Sequence, residues 1–517
     1  MKSKLNWIQV VLGCFFLFAV IGPLLKMFMT IDIPHLTAIF ANKAFKTAVY
    51  NSVVYSGISA ILSIILGGTA AWCLNRSNIK FKNFFILILT IPMLIPSISH
   101  GTGLVILLGA NGILTNLLGL KISLYGGLGI ILGSIMYSLP VAFLMFYDIL
   151  KYEDALPYDM AEILGVSKFR QFKDLTLPYL YKPLISIIFA IFTMIVTDYG
   201  VPLTIGGHVK TLPVMMYEDV IGLLDFVKGS IIGTILLLPA VVAFVIDLLN
   251  KGSANASYVK TPFRLNKSFA RECFSYLYLG IITVIVLLPL VTFAFLSFVK
   301  KYPMDLSFTT YHIQRLIAME GLTYLGNSFI IAIGVALIGT LGAFVTAYLS
   351  ARIQTRTSYF LHLMTITSLA IPGLVLGLSY VLFFNGTLIY GTLAMLILVN
   401  IVHFFASPYL IMYNTLNKVN RNLEDIGMIL GIARFNLVTH VIVPQVAPSL
   451  KEMAVYLFVN SMMTISAVSF LSNVATKPIA LMITQFEAIM MLECTAVVSL
   501  LILAVNLVVR TLALRTR

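Results

Sequence analysis

Charge is what this sequence most lacks. Asp, Glu, Lys and Arg make up 10% of the 517 residues, against about 25% in a soluble domain. Apolar residues reach 60% and the mean hydropathy is +1.00, so a water-soluble surface cannot be built from this composition. Acidic residues are scarcest, 20 against 34 Lys and Arg, for a net charge of +14. In a chain this apolar, the cationic excess marks loops on the cytoplasmic face of a membrane, and nucleic-acid binding is not expected. Cysteine is nearly absent: Cys14, Cys73, Cys273 and Cys494 all fall in apolar runs, without CxxC or Cys/His spacing. That excludes a disulfide framework and a structural metal site, and leaves four small buried hydrophobes. The G-x-x-x-x-G-K-[ST] pattern occurs nowhere, so the chain has no phosphate-binding loop with which to hydrolyse ATP. No Ser/His/Asp or paired-carboxylate arrangement points to catalysis, and the seven histidines are scattered.

What is present is a series of long apolar runs. At roughly 20 residues per crossing, the runs near 7–29, 49–74, 84–108, 127–149, 184–200 and 229–249 form one set of spans. A second set lies near 273–299, 325–350, 359–384, 389–412, 453–472 and 491–512. The first run is longer than a signal-peptide core and no A-x-A site follows it, so it is expected to stay as a membrane helix. Placing the N-terminus in the cytoplasm puts most of the Lys and Arg on the inner side, among them Arg76, Lys80, Lys151, Arg170, Arg352 and Arg434. Both termini are then cytoplasmic. The polar, basic stretch 251–271 is expected to be a cytoplasmic linker between halves 1–250 and 272–517. An even number of spans per half makes the halves parallel repeats.

The repeat is visible in the residues. Asn51-Ser52 returns as Asn327-Ser328, 276 positions on, and at the same offset Ile95-Pro96 with Gly101 returns as Ile371-Pro372 with Gly377. Asn111-Gly112 pairs with Asn385-Gly386, and Tyr125-Gly126 with Tyr390-Gly391. Single pairs of this kind are common in caps and turns; their recurrence in order is the signal. The longest cytoplasmic loops, within 151–183 and 414–451, also match. YDMAEILGVSKFRQFKDLTLPYLYKPL (158–184) and LEDIGMILGIARFNLVTHVIVPQVAPSL (423–450) align Asp159 with Asp425, Ala161 with Gly427, Leu164 with Leu430 and Gly165 with Gly431. Pro178 falls on Pro444, thirteen residues past the glycine in both copies.

These loops resemble the E-A-A-x-x-x-G loop of binding-protein-dependent ABC importer permeases, with Asp159 and Asp425 at the acidic position. The resemblance implies an all-α membrane protein of about twelve helices, two parallel six-helix repeats in a bacterial cytoplasmic (inner) membrane. It also implies two ABC ATPase subunits docked at the loops, with ATP and Mg on those subunits and no cofactor in this chain. An extracytoplasmic binding protein would deliver the cargo. The loop chemistry suits docking: an acid near a helix start complements the dipole, a small residue permits close approach, and Gly165 or Gly431 permits a left-handed stop. Ile163-Leu164 and Ile429-Leu430 offer an apolar patch, and Pro178 and Pro444 start the return to the membrane. A secondary transporter of the 6+6 type is the competing class. Its charged glycine motif is missing from the second-to-third-span loop, which is only NRSNIKFKN (75–83).

The fused form is similar to the ferric-iron and thiamine permeases, which makes ferric iron the first expectation for cargo. Thiamine, polyamine, phosphonate and sugar phosphate stay open. TDYGVPLTIGG (197–207), at the outer end of the fifth span, resembles an acidic-aromatic-Gly-x-Pro segment of ferric-type permeases, whereas TISAVSFLSN (464–473) lacks the Asp and Pro. Two kinds of role fit Asp198: drawing a cation into the pathway, or a structural one, capping the loop or pairing with Lys210. Tyr199 reads as an interface anchor. Thr464, Ser466 and Ser469 either line the facing side of the path or pack between helices. Glu487 with Met490 and Met491 reads as packing, since thioethers do not suit ferric iron.

Overall fold

The computed structural model describes residues 2–119, 123–250, 261, 263, 268–353, 355–420 and 422–515. The expected linker 251–271 therefore lies outside the described residues except for Thr261, Phe263 and 268–271. Among the described residues nearly every element is an α-helix, and one short antiparallel hairpin, Val299–Lys301 with Asp305–Phe308, follows the seventh apolar run. Among the described residues, nine helices are long and apolar enough to cross a membrane, and counting two sharply bent pairs as single spans raises this to eleven.

The difference from the twelve expected runs has local causes. Pro96 divides 84–108 into Lys82–Leu94 and a helix starting at Ser97, because proline removes a helical donor and holds the preceding Ile95 extended; Pro92 sits within the first piece, in its closing 3-10 turn. At the matching place, Pro372 separates Arg356–Ala370 from Gly373–Phe384 with a 108° bend. The helix Val443–Met463 carries Gln445, Lys451, Glu452 and Asn460, and ends before 464–480, which the sequence had placed partly in a span. Two of the four cysteines, Cys14 and Cys273, are exposed along outward helix faces; Cys73 and Cys494 are buried.

Packing follows small residues. Lys43–Arg76 lies along Gly127–Lys151, where a Cβ on Gly67 would come within 2.7 Å of the Phe143 nitrogen. The Ser63 and Ser138 hydroxyls meet there at 2.7 Å. In the second repeat, Gly321–Arg352 packs on Val443–Met463 and Ala406–Lys418.

The first helix of each repeat crosses to the other. Trp7–Met29 packs on Arg356–Thr367 and Gly373–Phe384, with Gln9 donating to the Ser358 hydroxyl at 2.8 Å and Tyr380 donating to the Ala19 carbonyl at 2.7 Å. Phe269–Ser297 packs reciprocally on Lys82–Thr90 and Ser97–Leu108; Ser77 and Ser275 hydroxyls meet at 2.8 Å, and Tyr278 donates to the Leu66 carbonyl at 2.9 Å. Each repeat thus completes its partner's outer wall.

Candidate functional site

The two loops singled out by their motif form the same structure. Leu156–Ile163 and Asn422–Ile429 are short helices with Asp159 and Asp425 in their first turns. Each stops at a glycine in the left-handed region, Gly165 at φ 69° and Gly431 at φ 66°. Val166 N–H donates to the Ala161 carbonyl (2.9 Å) and Gly165 N–H to Glu162 (3.0 Å). Ile432 N–H donates to Gly427 (2.8 Å) and Gly431 N–H to Met428 (3.2 Å). These paired bonds satisfy the last carbonyls of each helix, the Schellman arrangement. A second helical piece, with a π-helical turn at Phe172–Thr176 or Val438–Ile442, leads back to the next long helix, whose first turn holds Pro178 or Pro444.

Around each stop the apolar side chains point outward. Ile163 and Leu164 are 85% and 78% exposed, and Ile429 and Leu430 are 84% and 66%; Phe169 and Phe435 are also exposed. The small residues face the other way. Ala161 and Gly427 are buried, and a Cβ on Gly427 would stand 3.3 Å from Leu437 of the same loop. The close approach expected at these positions is therefore internal: it folds the loop back on itself and pushes the apolar corner out.

Sequence reasoning counted Arg76 and Arg352 only as inner-face charges. Each ends the second long helix of its repeat and reaches into the loop. Arg76 donates to the Leu150 carbonyl (3.3 Å) and Arg352 to Leu416 (3.2 Å), equivalent carbonyls at the end of the fourth span. Arg352 also donates to Val419 (2.7 Å), Asn420 (2.8 Å) and Glu424, which sits on the second loop helix. Arg76 instead pairs with Glu153, which accepts from the Tyr158 hydroxyl on the first loop helix. Burial, and then the bond to Glu153, raises the Tyr158 phenol's pKa. Phe263 covers Arg76, its ring centroid 3.6 Å from the guanidinium carbon. Only the shared spacing of Arg76 and Arg352 signalled this.

At the end of the long helices away from these loops, the repeated Asn-Ser pairs hold matching segments. Asn51 donates to the Lys210 carbonyl (2.9 Å), and Ser52 accepts from Leu212 N–H (2.7 Å). Asn327 donates to Ala475 and Lys477 (2.8 and 3.2 Å), and Ser328 accepts from Ile479 N–H (2.8 Å).

Asp198 lies between the repeats and lines two cavities, of about 420 and 110 Å³. Its Oδ2 accepts from Val201 N–H at 3.0 Å, so it caps Gly200–Ile205. It does not pair with Lys210, whose partner is Glu218. Ser466 lines both cavities and Thr464 the smaller one. Ser469 donates to the Ile465 carbonyl and meets the Tyr199 hydroxyl at 2.6 Å. Tyr199 is not an interface anchor: it is buried and stacked on Tyr217 with centroids 4.9 Å apart, because its hydroxyl finds a partner inside. The repeats pack tightly here with roles exchanged. A Cβ on Gly200 would fall 2.4 Å from Ser97 Oγ, and a Cβ on Gly373, the counterpart of Ser97, would fall 2.1 Å from Ser466 Oγ. Away from this axis, Glu487 accepts from the Thr102 hydroxyl, and Met490 is exposed, contrary to a packing role.

Comparison with known proteins agrees with this duplicated plan. The ferric transport system permease protein FbpB of Actinobacillus pleuropneumoniae is 25% identical over 449 residues, covering 83% of this chain and 65% of the relative. The chain thus spans slightly less than two thirds of that protein. A putative ferric transport system permease protein FbpB 1 of Haemophilus influenzae is 24% identical, with 83% and 70% covered. The molybdate/tungstate transport system permease protein WtpB of Methanocaldococcus jannaschii is 28% identical over 198 residues, 38% of this chain and 76% of that one. Residues 59–253 and 339–517 each match the binding-protein-dependent transport system inner membrane component family. With that domain present twice and a multi-pass apolar fold around it, the chain belongs to this family as a fused, double-domain permease.

Proposed function

We propose that this chain is the complete membrane pathway of an ATP-driven importer, with two six-helix halves, 1–250 and 272–517, in one polypeptide and both termini in the cytoplasm. The loops within 151–183 and 414–451 each dock one ABC ATPase subunit, which binds ATP and Mg. An extracytoplasmic binding protein hands cargo to the opposite face. The observation that carries this reading is the duplicated loop: an apolar corner thrust into solvent by a left-handed glycine, in two copies of equal spacing. Each exposed Leu or Ile gains about 1.5–3 kcal/mol if fully buried against a partner, ample to seat a helix in a groove. Asp159 and Asp425 orient the loop helices, and Leu164 and Leu430 fill the groove. Asp198, Tyr199, Thr464, Ser466 and Ser469 belong to the translocation path, with Tyr199 and Ser469 fastening its outer wall. Ferric iron leads as cargo, in line with the two ferric permease relatives that span most of the chain.

Stoichiometry tests the reading. The mass of the complex purified from membranes is expected to fit one copy of this chain with two ATPase subunits, and vesicles carrying it are expected to take up cargo only with ATP. Two permease chains per two ATPases would overturn it.

A further inference from the structure

The space between the repeats carries a chemical signature of its own. Its two adjoining cavities share Tyr137, Asp198, His403 and Ser466 in their walls. Tyr137 and His403 occupy equivalent positions in the two repeats, as do Asp198 and Thr464, so the cavities sit where the repeats face each other. Asp198 is the one carboxylate in the described lining, and no Lys or Arg lines either cavity. Among the described residues no cationic side chain forms an ion pair with it. Its contacts are neutral dipoles, from Ser97 and the Gly200 and Val201 N–H groups. The His403 ring is also unspent: its Nδ1 is buried with no hydrogen-bond partner among the described residues. An ionisable pair left unmatched inside a membrane protein marks a pathway site, because its desolvation is otherwise uncompensated.

We propose that this space is a transit site for a small, hard or borderline metal cation, held by the Asp198 carboxylate of one repeat and the His403 imidazole of the other. The inference rests on the importer reading and adds the side chains that hold a cation between the repeats. Oxyanions such as molybdate are disfavoured, since they would meet a carboxylate without a guanidinium or ammonium to offset it. A polyamine carries several ammonium groups, and one carboxylate answers only one of them. Carboxylate, phenol, hydroxyl and imidazole donors suit a hard or borderline ion. At about 30 Å³ per water, the larger cavity admits an ion with a shell of waters. Two ionisable donors are too few for a resident metal centre, which fits a site that must release what it binds.

The test uses the whole complex, permease with its ATPases in proteoliposomes, supplied with its binding protein loaded with radioactive ferric iron. Asp198→Asn and His403→Gln are each expected to slow uptake by about tenfold or more, the scale of losing one charge-assisted ligand. ATPase stimulation by the loaded binding protein is expected to stay within about twofold of wild type, as coupling and docking are untouched. Asp198→Glu is expected to recover most of the uptake. Undiminished uptake in both variants overturns the proposal. So does loss of stimulation in Asp198→Asn that Asp198→Glu fails to restore, which assigns the residue to loop structure. A wild-type complex that moves molybdate and not iron overturns the cation assignment while leaving the importer reading standing; a chain that binds no ATPase overturns the importer reading itself.

Discussion

Gly165 and Gly431 separate two effects that a single substitution usually confounds. Both hold φ near +67°, where a side chain costs about 1–2 kcal/mol. In both loops the position of an added Cβ has no atom within 4 Å, so that backbone cost stands alone. Gly431→Ala is therefore expected to weaken the turn by about 1–2 kcal/mol, or roughly 5–30-fold in its equilibrium. The apolar corner is left chemically intact. Gly431→Glu incurs the same backbone cost and also sets a carboxylate beside Ile429 and Leu430, which then enters a dry groove unpaired or blocks it. Titrating ATPase subunits against permease in nanodiscs should show a several-fold loss of affinity for the alanine variant and loss of binding for the glutamate variant. The same series at Gly165 should behave alike, with membrane insertion normal throughout. If alanine and glutamate weaken binding equally, the corner is not a docking surface and only the turn matters. If neither weakens it, the loops do not hold the ATPases.

Arg352→Met leaves the largely buried Glu424 carboxylate without its partner and should destabilise the second repeat by up to about 3 kcal/mol; thermal unfolding in nanodiscs should show much of this recovered in Arg352→Met/Glu424→Met. Arg352→Lys, which keeps the charge but loses the two-pronged contact, should retain stability better than Arg352→Met yet reduce ATPase stimulation by the binding protein; full stimulation would show that the clamp is merely structural. Asn327→Ala strands the Ala475 and Lys477 carbonyls, at about 1–3 kcal/mol, and should speed amide exchange across 473–480 without changing exchange in the 151–183 and 414–451 loops. Tyr199→Phe removes the bond to Ser469 that fastens the wall of the path and should cost about 0.5–1.5 kcal/mol in unfolding measurements with uptake nearly normal; a large loss of uptake would show that the hydroxyl touches the cargo and does more than fasten the wall.

What could be read from the sequence was whatever repeats locally. The loop motif is contained in some twenty residues, and its glycine, apolar pair and proline each act on near neighbours, so their pattern survives without knowledge of the fold. The same holds for the Asn-Ser pairs, although their task, fastening segments some 150 residues away, was not visible. The expected spans and the long helices differ where apolar composition and helical geometry part company: Ile95-Pro96 and Ile371-Pro372 lie inside continuous apolar runs, yet the prolines break the helices. Arg76 and Arg352 looked like surface charges because nothing local reveals that each faces the end of another helix. Tyr199 was misplaced for a related reason, since an aromatic at a predicted span end suits an interface until a buried hydroxyl acceptor is known. His403 is the instructive case. It has no motif, and it lines the same two cavities as Asp198 from the other repeat. Applying the loop offset backward from His403 leads to Tyr137, and forward from Asp198 to Thr464, all four in the wall of one cavity. Applied to the neighbouring contact, it exposes Ser97 against Gly200 and Gly373 against Ser466, the same approach with large and small exchanged. A duplicated chain is thus most informative where its copies differ: the loops keep identical spacing, while at the shared axis Asp198 is replaced by Thr464 and Tyr137 by His403.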